Sequence, residues 1–374
     1  MPTCERCLNT DMKYFVKLNG IYVCRRCIAY QGEDAKVLFN EDHVEYELPF
    51  SLTPFQKDIS GQCKTLSKNS DILIHAVCGA GKTELVMETI TDRLNHQEKV
   101  GIAVARKQVA IQLAERFKAA FPQIKVIVVC EGHTQDLVGQ LVITTTHQLY
   151  RFKQSFDCLI LDEPDAFPYR NNPVLMGFMR QSVKGHIVYL TATPDKSLLK
   201  QVRLGKLILL SLNQRPHRHP LPIPELIFSP FWVQVIIMKL ILIKTKKSWL
   251  IFVPSLKTGR LASKLLNLPF AHASSKDLDE LIQGFKRKKI KHLLTTTVLE
   301  RGVTFSDIQV AILMADHRVF DEASLTQIAG RAGRDPKYPS GEVKFLCLRS
   351  TSALRHCRRD LRGANRSVSI VSVT

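Results

Sequence analysis

Apolar runs recur along the chain and alternate with helix-like stretches. Between residues 50 and 195 they fall at 72–76, 100–105, 125–129, 140–144, 158–161 and 187–190, with helix-like patterns at 84–94 and 109–118. Strands alternating with helices predict a parallel sheet covered by helices. The rhythm returns at 248–253, 292–296, 310–314 and 342–346, so a second α/β unit is expected. Between the two lies Arg215-Pro216-His217-Arg218-His219-Pro220-Leu221-Pro222-Ile223-Pro224. Prolines at that density exclude a regular element and mark a connection, and the two histidines are expected to be solvated. The longest apolar tract, 231–243, is interrupted by Gln234 and Lys239 and is too short to span a bilayer. It predicts a buried helix or a helix-to-strand segment. The expected divisions are 1–48, 49–205, a connection at 206–228, and 229–374.

The turn after the first run carries chemistry: Ala76-Val77-Cys78-Gly79-Ala80-Gly81-Lys82-Thr83. A strand, a glycine turn ending in Gly-Lys-Thr and then a helix make a phosphate cradle. Backbone N–H groups face the β-phosphate, Lys82 brings charge to the β/γ-phosphates, and the Thr83 hydroxyl binds Mg²⁺. Ala76 stands where the strict pattern has its first glycine, which keeps an ordinary glycine-rich turn open as the alternative. The run at 158–161 leads into Asp162-Glu163-Pro164-Asp165. Here Asp162 would hold the metal through water and Glu163 would polarise the attacking water, against the alternative of a solvated acidic turn. Pro164 is expected to push Glu163 towards extended backbone.

A third segment, Gln327-Ile328-Ala329-Gly330-Arg331-Ala332-Gly333-Arg334, spaces two arginines three apart. On one helix face both would reach a γ-phosphate as charge builds. A basic surface helix is the competing reading, but a glycine before each arginine is costly there.

Four cysteines, Cys4, Cys7, Cys24 and Cys27, form C-x₂-C pairs separated by sixteen residues. This spacing predicts a tetrahedral zinc site, with a redox pair as the alternative. Asn19-Gly20 between them predicts a hairpin turn. So small a module is expected to fold on its metal and, without it, to unfold alone. Residues 31–49 are polar and acid-rich, a linker or edge element. The remaining cysteines are scattered. Cys78 is either an activated thiol in the phosphate loop or simply a small residue.

Apolar content of 45% with 23% charged is that of a globular protein, but 53 Lys+Arg against 34 Asp+Glu leave a formal charge of +19. That excess points to a polyanionic partner. The start, Met1-Pro2-Thr3-Cys4, holds no secretory apolar core, so a cytosolic protein is expected.

Seven segments in order resemble superfamily-2 helicases. They are Leu52-Thr53-Pro54-Phe55-Gln56, the Lys82 loop, Ala105-Arg106-Lys107, Ile143-Thr144-Thr145-Thr146-His147, the Asp162 box, Thr191-Ala192-Thr193, and Thr295 to Gly302 leading into the Arg331 box. With the four cysteines and Asp-Glu-x-Asp-Ala-Phe-Pro-Tyr at 162–169, the chain resembles the ComFA family of late-competence ATPases. The resemblance implies an α/β fold of two RecA-like P-loop NTPase domains preceded by a zinc module. It implies ATP, Mg²⁺ and Zn²⁺ as cofactors. Lys82, Asp162, Glu163, Arg331 and Arg334 would be catalytic. Gln56 would read adenine, and Ala76, Val77, Cys78, Gly79, Ala80, Gly81, Thr83, Glu84, Gly302 and Gln327 would line the nucleotide. Thr191-Ala192-Thr193 would link hydrolysis to domain motion.

Arg106, Lys107, Thr145, Thr146, His147, Thr296 and Thr297 would grip a single-stranded backbone, although threonines there also cap helices. The basic run at 285–289 reads by default as a solvated face. The implied task is ATP-driven movement of incoming single-stranded DNA during natural transformation. Its partners would be the membrane DNA channel, a ComFC-like protein and a DNA-processing protein, at the cytoplasmic face of the membrane. A primosomal-type restart helicase and a non-catalytic zinc-ribbon scaffold remain open. Position 164 usually holds Val and position 78 Thr in that family, so a detuned ATPase is a further expectation.

Overall fold

A computed structural model describes residues 2–300 and 303–371. They form two compact units, Met1–Ala76 with Gly81–Leu212, and Val77–Ala80 with Asn213–Thr374.

The first unit opens with an antiparallel hairpin, β1 (Phe15–Leu18) and β2 (Ile21–Cys24). Asn19 and Gly20 turn it at φ +47° and +85°, the left-handed pair that a two-residue hairpin loop requires. A short strand β3 (Lys36–Val37) follows, then α1 (Pro54–Leu66), β4 (Ile72–Ala76), α2 (Met87–Asn95), β5 (Val100–Val104) and α3 (Lys107–Ala120). The chain continues through β6 (Val126–Val129), β7 (Val138–Gly139), β8 (Leu141–Thr145), β9 (Phe156–Asp162), α4 (Pro173–Ser182), β10 (Val183–Thr191), α5 (Lys196–Arg203) and β11 (Ile208–Leu212). Seven strands make a parallel sheet in the order β11-β4-β10-β9-β5-β8-β6. All six apolar runs expected here are strands of it. The seventh, β11, lies within the stretch 206–228.

Residues 31–49 act as an edge element. β3 pairs with β7, and the buried Val44 exchanges hydrogen bonds with the Asn95 side chain at 2.8 and 2.9 Å.

The four-cysteine module does not stand alone. Cys7, Cys24 and Cys27 share a core with Leu175, Phe178 and Met179 of α4. A Cβ on Gly177 would lie 2.0 Å from the Cys7 carbonyl oxygen, so only glycine permits this approach. The Tyr30 ring meets Phe178 edge-on at 4.9 Å. The knuckle is therefore packed into the first unit's core.

The second unit runs β12 (Glu225–Phe228), α6 (Phe231–Lys244), β13 (Ser248–Phe252), α7 (Leu256–Leu266), β14 (Phe270–Ala271), α8 (Leu278–Lys286) and β15 (His292–Thr295). It ends with β16 (Ile308–Ile312), α9 (Glu322–Ala329), β17 (Val343–Cys347) and α10 (Ser352–Val371). Its parallel sheet has the order β12-β17-β16-β13-β15-β14. Trp249, Ile251, Leu294, Ala311 and Leu346 pack on one side of it.

Three expectations are corrected in this unit. The tract 231–243 is a helix, but only Gln234, Val235 and Met238 of α6 are buried; its opposite face is exposed. Gln234 is tolerated on the buried side because it donates to the Ser229 carbonyl at 2.7 Å and accepts from the Met314 N–H at 2.9 Å. The two arginines do not lie on a helix face. α9 stops at Ala329, Gly330 caps it, and Gly333 turns at φ +64°, so Arg331 and Arg334 project from a tight turn. Finally, His217 is half-buried and bonds the Gly333 carbonyl at 3.1 Å, whereas His219 is exposed as expected.

The shared core generates a first prediction. Gly177→Ala should lower the stability of the whole first unit by about 1–3 kcal/mol, the usual cost of overpacking. It should also loosen metal retention. Thermal melting followed together with zinc content checks this, and the two losses should appear together.

Candidate nucleotide site and metal centre

The phosphate loop leaves β4 at Ala76, and its two glycines each adopt φ +84°. A Cβ on Gly81 would come within 2.6 Å of Gln56 Nε2 and 3.1 Å of Glu84 Oε2, so the bare backbone lets both side chains approach the loop. Gln56 is buried and closes a capping box on α1. Its Oε1 accepts from the Thr53 N–H at 3.0 Å, and its own N–H donates to Thr53 Oγ1 at 3.3 Å. Glu84 is buried and pairs with Arg116.

Lys82 Nζ lies 3.2 Å from Glu163 Oε1, which joins the loop to the acidic box across the sheet. Asp162 is the last residue of β9, opposite Leu190 of β10. The Glu163 N–H donates to the Leu190 carbonyl at 2.8 Å, and the Ala166 N–H donates to the Glu163 carbonyl at 2.9 Å. Held by both, Glu163 sits at φ +56° rather than in the extended conformation expected from Pro164. Proline excludes the right-handed helical region before it, and the turn here selects the left-handed one, a strained choice for a glutamate.

Asp165 went unread in the sequence. Its carboxylate accepts from Thr191 Oγ1 at 2.5 Å and Thr193 Oγ1 at 2.7 Å, while the Thr193 N–H donates to Thr191 Oγ1 at 2.9 Å. The acidic box and the Thr-Ala-Thr segment are therefore bonded directly. Its signal in the sequence is a third carboxylate in the box, two residues past Glu163.

In the second unit Arg331 is buried, donates to the Val303 carbonyl and lies over the Phe305 ring at 6.0 Å. Arg334 is half-buried, and its Nε donates to the Gly330 carbonyl at 2.8 Å. A third arginine, missed because the Pro-rich stretch reads as a mere connection, grips the same turn. Arg215 donates to the carbonyls of Gly330 at 2.8 Å, Ala332 at 3.0 Å and Gly333 at 2.6 Å. Burial, with the charge of Arg334 nearby, pushes the Arg215 guanidinium down to about 10. Gln327 is buried in α9, and Gly302 lies outside the described residues.

The Sγ atoms of Cys4, Cys7, Cys24 and Cys27 all lie within 4.8 Å of one another. Cys4–Cys27 and Cys7–Cys24 are separated by 3.6 and 3.9 Å. Four thiolates at about 2.3 Å around tetrahedral zinc stand roughly 3.8 Å apart, so the donor set fits that ion. Burial pushes the Cys7 thiol up to about 11 and raises Cys27 further, while at Cys4 the backbone N–H groups of Cys7 and Arg6 outweigh burial and lower it. Forming all four thiolates needs a cation at the centre.

The candidate nucleic-acid residues are scattered over strand ends. Arg106 caps α3 and Lys107 begins it. Thr145 ends β8 and Thr146 starts the 3₁₀ turn Thr146–Arg151, and both are buried. His147 stacks with Tyr30 at 6.3 Å, and burial lowers its pKa. Thr296 and Thr297 follow β15, half-buried.

Residues 49–196 match the family described as the res subunit of type III restriction enzymes, and residues 233–336 match the helicase conserved C-terminal domain. In fold the chain is similar to Saccharomyces cerevisiae Dbp5 bound to RNA and ADP BeF3, with a TM-score of 0.62 at 16% identity, covering 84% of this chain and 92% of that one. It also resembles RecG bound to a three-way DNA junction, with a TM-score of 0.58 at 19% identity, covering 85% of this chain and 45% of that one. Both comparisons support two RecA-like domains. Competence protein ComFA of Bacillus subtilis is 33% identical over 99% of this chain and 87% of its own length. That of Streptococcus pneumoniae is 32% identical over 98% and 91%. With a strand–loop–helix cradle, an acidic strand end and a four-cysteine cluster in place, the chain belongs to the ComFA family and is an ATP-hydrolysing enzyme of the helicase class.

Proposed function

We propose that this enzyme is a single-stranded DNA translocase that uses ATP to draw transforming DNA inward during natural competence. The observation that carries the catalytic part is the 3.2 Å pairing of Lys82 with Glu163. The two charges pair with each other. Arriving β/γ-phosphates take Lys82, and Glu163 is then released to orient water. Thr83 and Asp162 would hold a Mg²⁺ through their oxygen donors, and the ion would supply charge neutralisation for the phosphates. Asp165, bonded to Thr191 and Thr193, passes a change at the acidic box to the next strand end.

Arg331 and Arg334 supply transition-state charge, and Gln56 supports adenine recognition beside Gly81. The charge of +19 favours nucleic acid, with Arg106, Lys107, His147, Thr296 and Thr297 near the path of the strand. Thr145 and Thr146 would contribute through the backbone, since their side chains are buried. The site of action is the cytoplasmic face of the membrane, beside the DNA channel, a ComFC-like protein and the DNA-processing protein. The divisions 1–48, 49–205, 206–228 and 229–374 describe the functional modules. Similarity over 99% of the chain favours this reading over a primosomal motor, whose replication restart protein PriA from Synechocystis matches over 51% at 27% identity.

ATP turnover with and without single-stranded DNA tests the proposal, since an inert scaffold would show none. Glu163→Gln should bind nucleotide normally and hydrolyse it at least about 10²-fold more slowly, within the usual contribution of a positioned base. Wild-type turnover in this variant would remove the assignment.

Arg334→Ala should keep ATP affinity within a few-fold and cut kcat by about 10³. Arg331→Ala should do the same and also lower the melting temperature, because its guanidinium is buried on a carbonyl. Arg215→Ala should reduce kcat through the misplaced turn while leaving KM for ATP nearly unchanged, and Arg215→Lys should recover part of the rate. Steady-state kinetics of these variants would show whether the two effects separate.

A further inference from the structure

α6 has an outward face that its own core does not use. Trp232, Ile236, Leu240 and Ile243 are 59, 57, 53 and 72% exposed, opposite the buried Gln234, Val235 and Met238. Their spacing of four, four and three residues aligns them in one stripe roughly 16 Å long. Val233 widens it. Lys239 and Lys244 are exposed as well, and at about 100° per residue they fall on opposite flanks of the stripe. Lys246 and Lys247, also exposed, extend the positive charge past the helix end. The helix, FWVQVIIMKLILIK, contains no acidic residue.

Taking these large apolar side chains out of water is favourable, so the stripe favours an apolar occupant. Its lysine flanks decide which one. Lysine is depleted at protein interfaces, and a phosphate backbone alone would not require a row of aliphatic side chains. At a bilayer surface the stripe enters the acyl boundary while lysine stems extend upward to anionic headgroups. Apolar insertion and basic charge are together the two signals that stable interfacial binding needs.

We propose that α6 is an interfacial anchor that lays the second unit on an anionic bilayer surface. The helix lies on the membrane and does not cross it: among the described residues no helix is long and apolar enough to do so.

The test is flotation of the full chain, zinc retained, with vesicles of phosphatidylglycerol and phosphatidylcholine or of phosphatidylcholine alone. The double substitution Ile236→Ser/Leu240→Ser keeps every charge and alters only the solvent face, so lipid-free ATPase activity should match wild type and serve as the folding control. Wild type should bind the anionic vesicles, with Trp232 becoming shielded from an aqueous quencher. The double variant should bind at least tenfold more weakly. Equal binding by the two proteins would mean that diffuse charge acts alone and would overturn the anchor. No wild-type flotation would overturn it too, and self-association abolished by the serines would then assign the stripe to a second copy.

Discussion

The seven strands of the first unit's main sheet run parallel, so their carboxyl ends lie along one end of that sheet. The phosphate loop leaves β4 there, Arg106 and Lys107 follow β5, Thr145 ends β8, Asp162 ends β9 and Thr191 ends β10. An open α/β sheet binds its ligands at this end, because loops alone are free to present side chains there. The bonds between neighbouring loops depend on that alignment. Lys82 reaches Glu163 past the intervening β10, and Asp165 reaches two hydroxyls at the end of the adjoining strand.

The sheet was legible because fully buried parallel strands are nearly continuous apolar runs. The six expected in the first unit and four in the second are present, with ends displaced by a few residues. β11, β12 and β14 escaped because they are short or half-exposed edge strands next to prolines and polar residues. The phosphate loop, acidic box and thiolate spacing were also legible, since each is fixed by local chemistry. What could not be read were contacts made by distant residues. The grip of Arg215 on three carbonyls depends on a turn more than 100 residues away, and no local pattern signals it. The turn itself was misread as a helix face, because arginine spacing matches a helical period while Gly330 and Gly333 end the helix.

Burial separates the two kinds of charge in this protein. Lys82 and Glu163 are partly accessible and pair with each other. Arg215 is buried against carbonyl oxygens, where removing the cation would leave several acceptors unsatisfied at once. The first arrangement suits exchange during a cycle, and the second suits a fixed support. The distinction follows from solvation cost: a partly solvated pair can trade partners more cheaply than a fully buried one, which must stay satisfied.

The four-cysteine module extends this logic to packing. A module of fewer than 40 residues gains little from its own apolar surface, and a metal held by its four cysteines would supply the local fold. Yet three of its ligand cysteines also contribute to the core of α4, and Gly177 is bare where the knuckle backbone passes. Tyr30, just beyond the last ligand, lies between Phe178 and His147. His147 belongs to a segment that resembles the nucleic-acid-gripping boxes, so the metal knuckle, α4 and that box form one packed group. Close-packed groups shift together rather than yielding atom by atom, and this packing links the four cysteines to the end of β8 by direct contact.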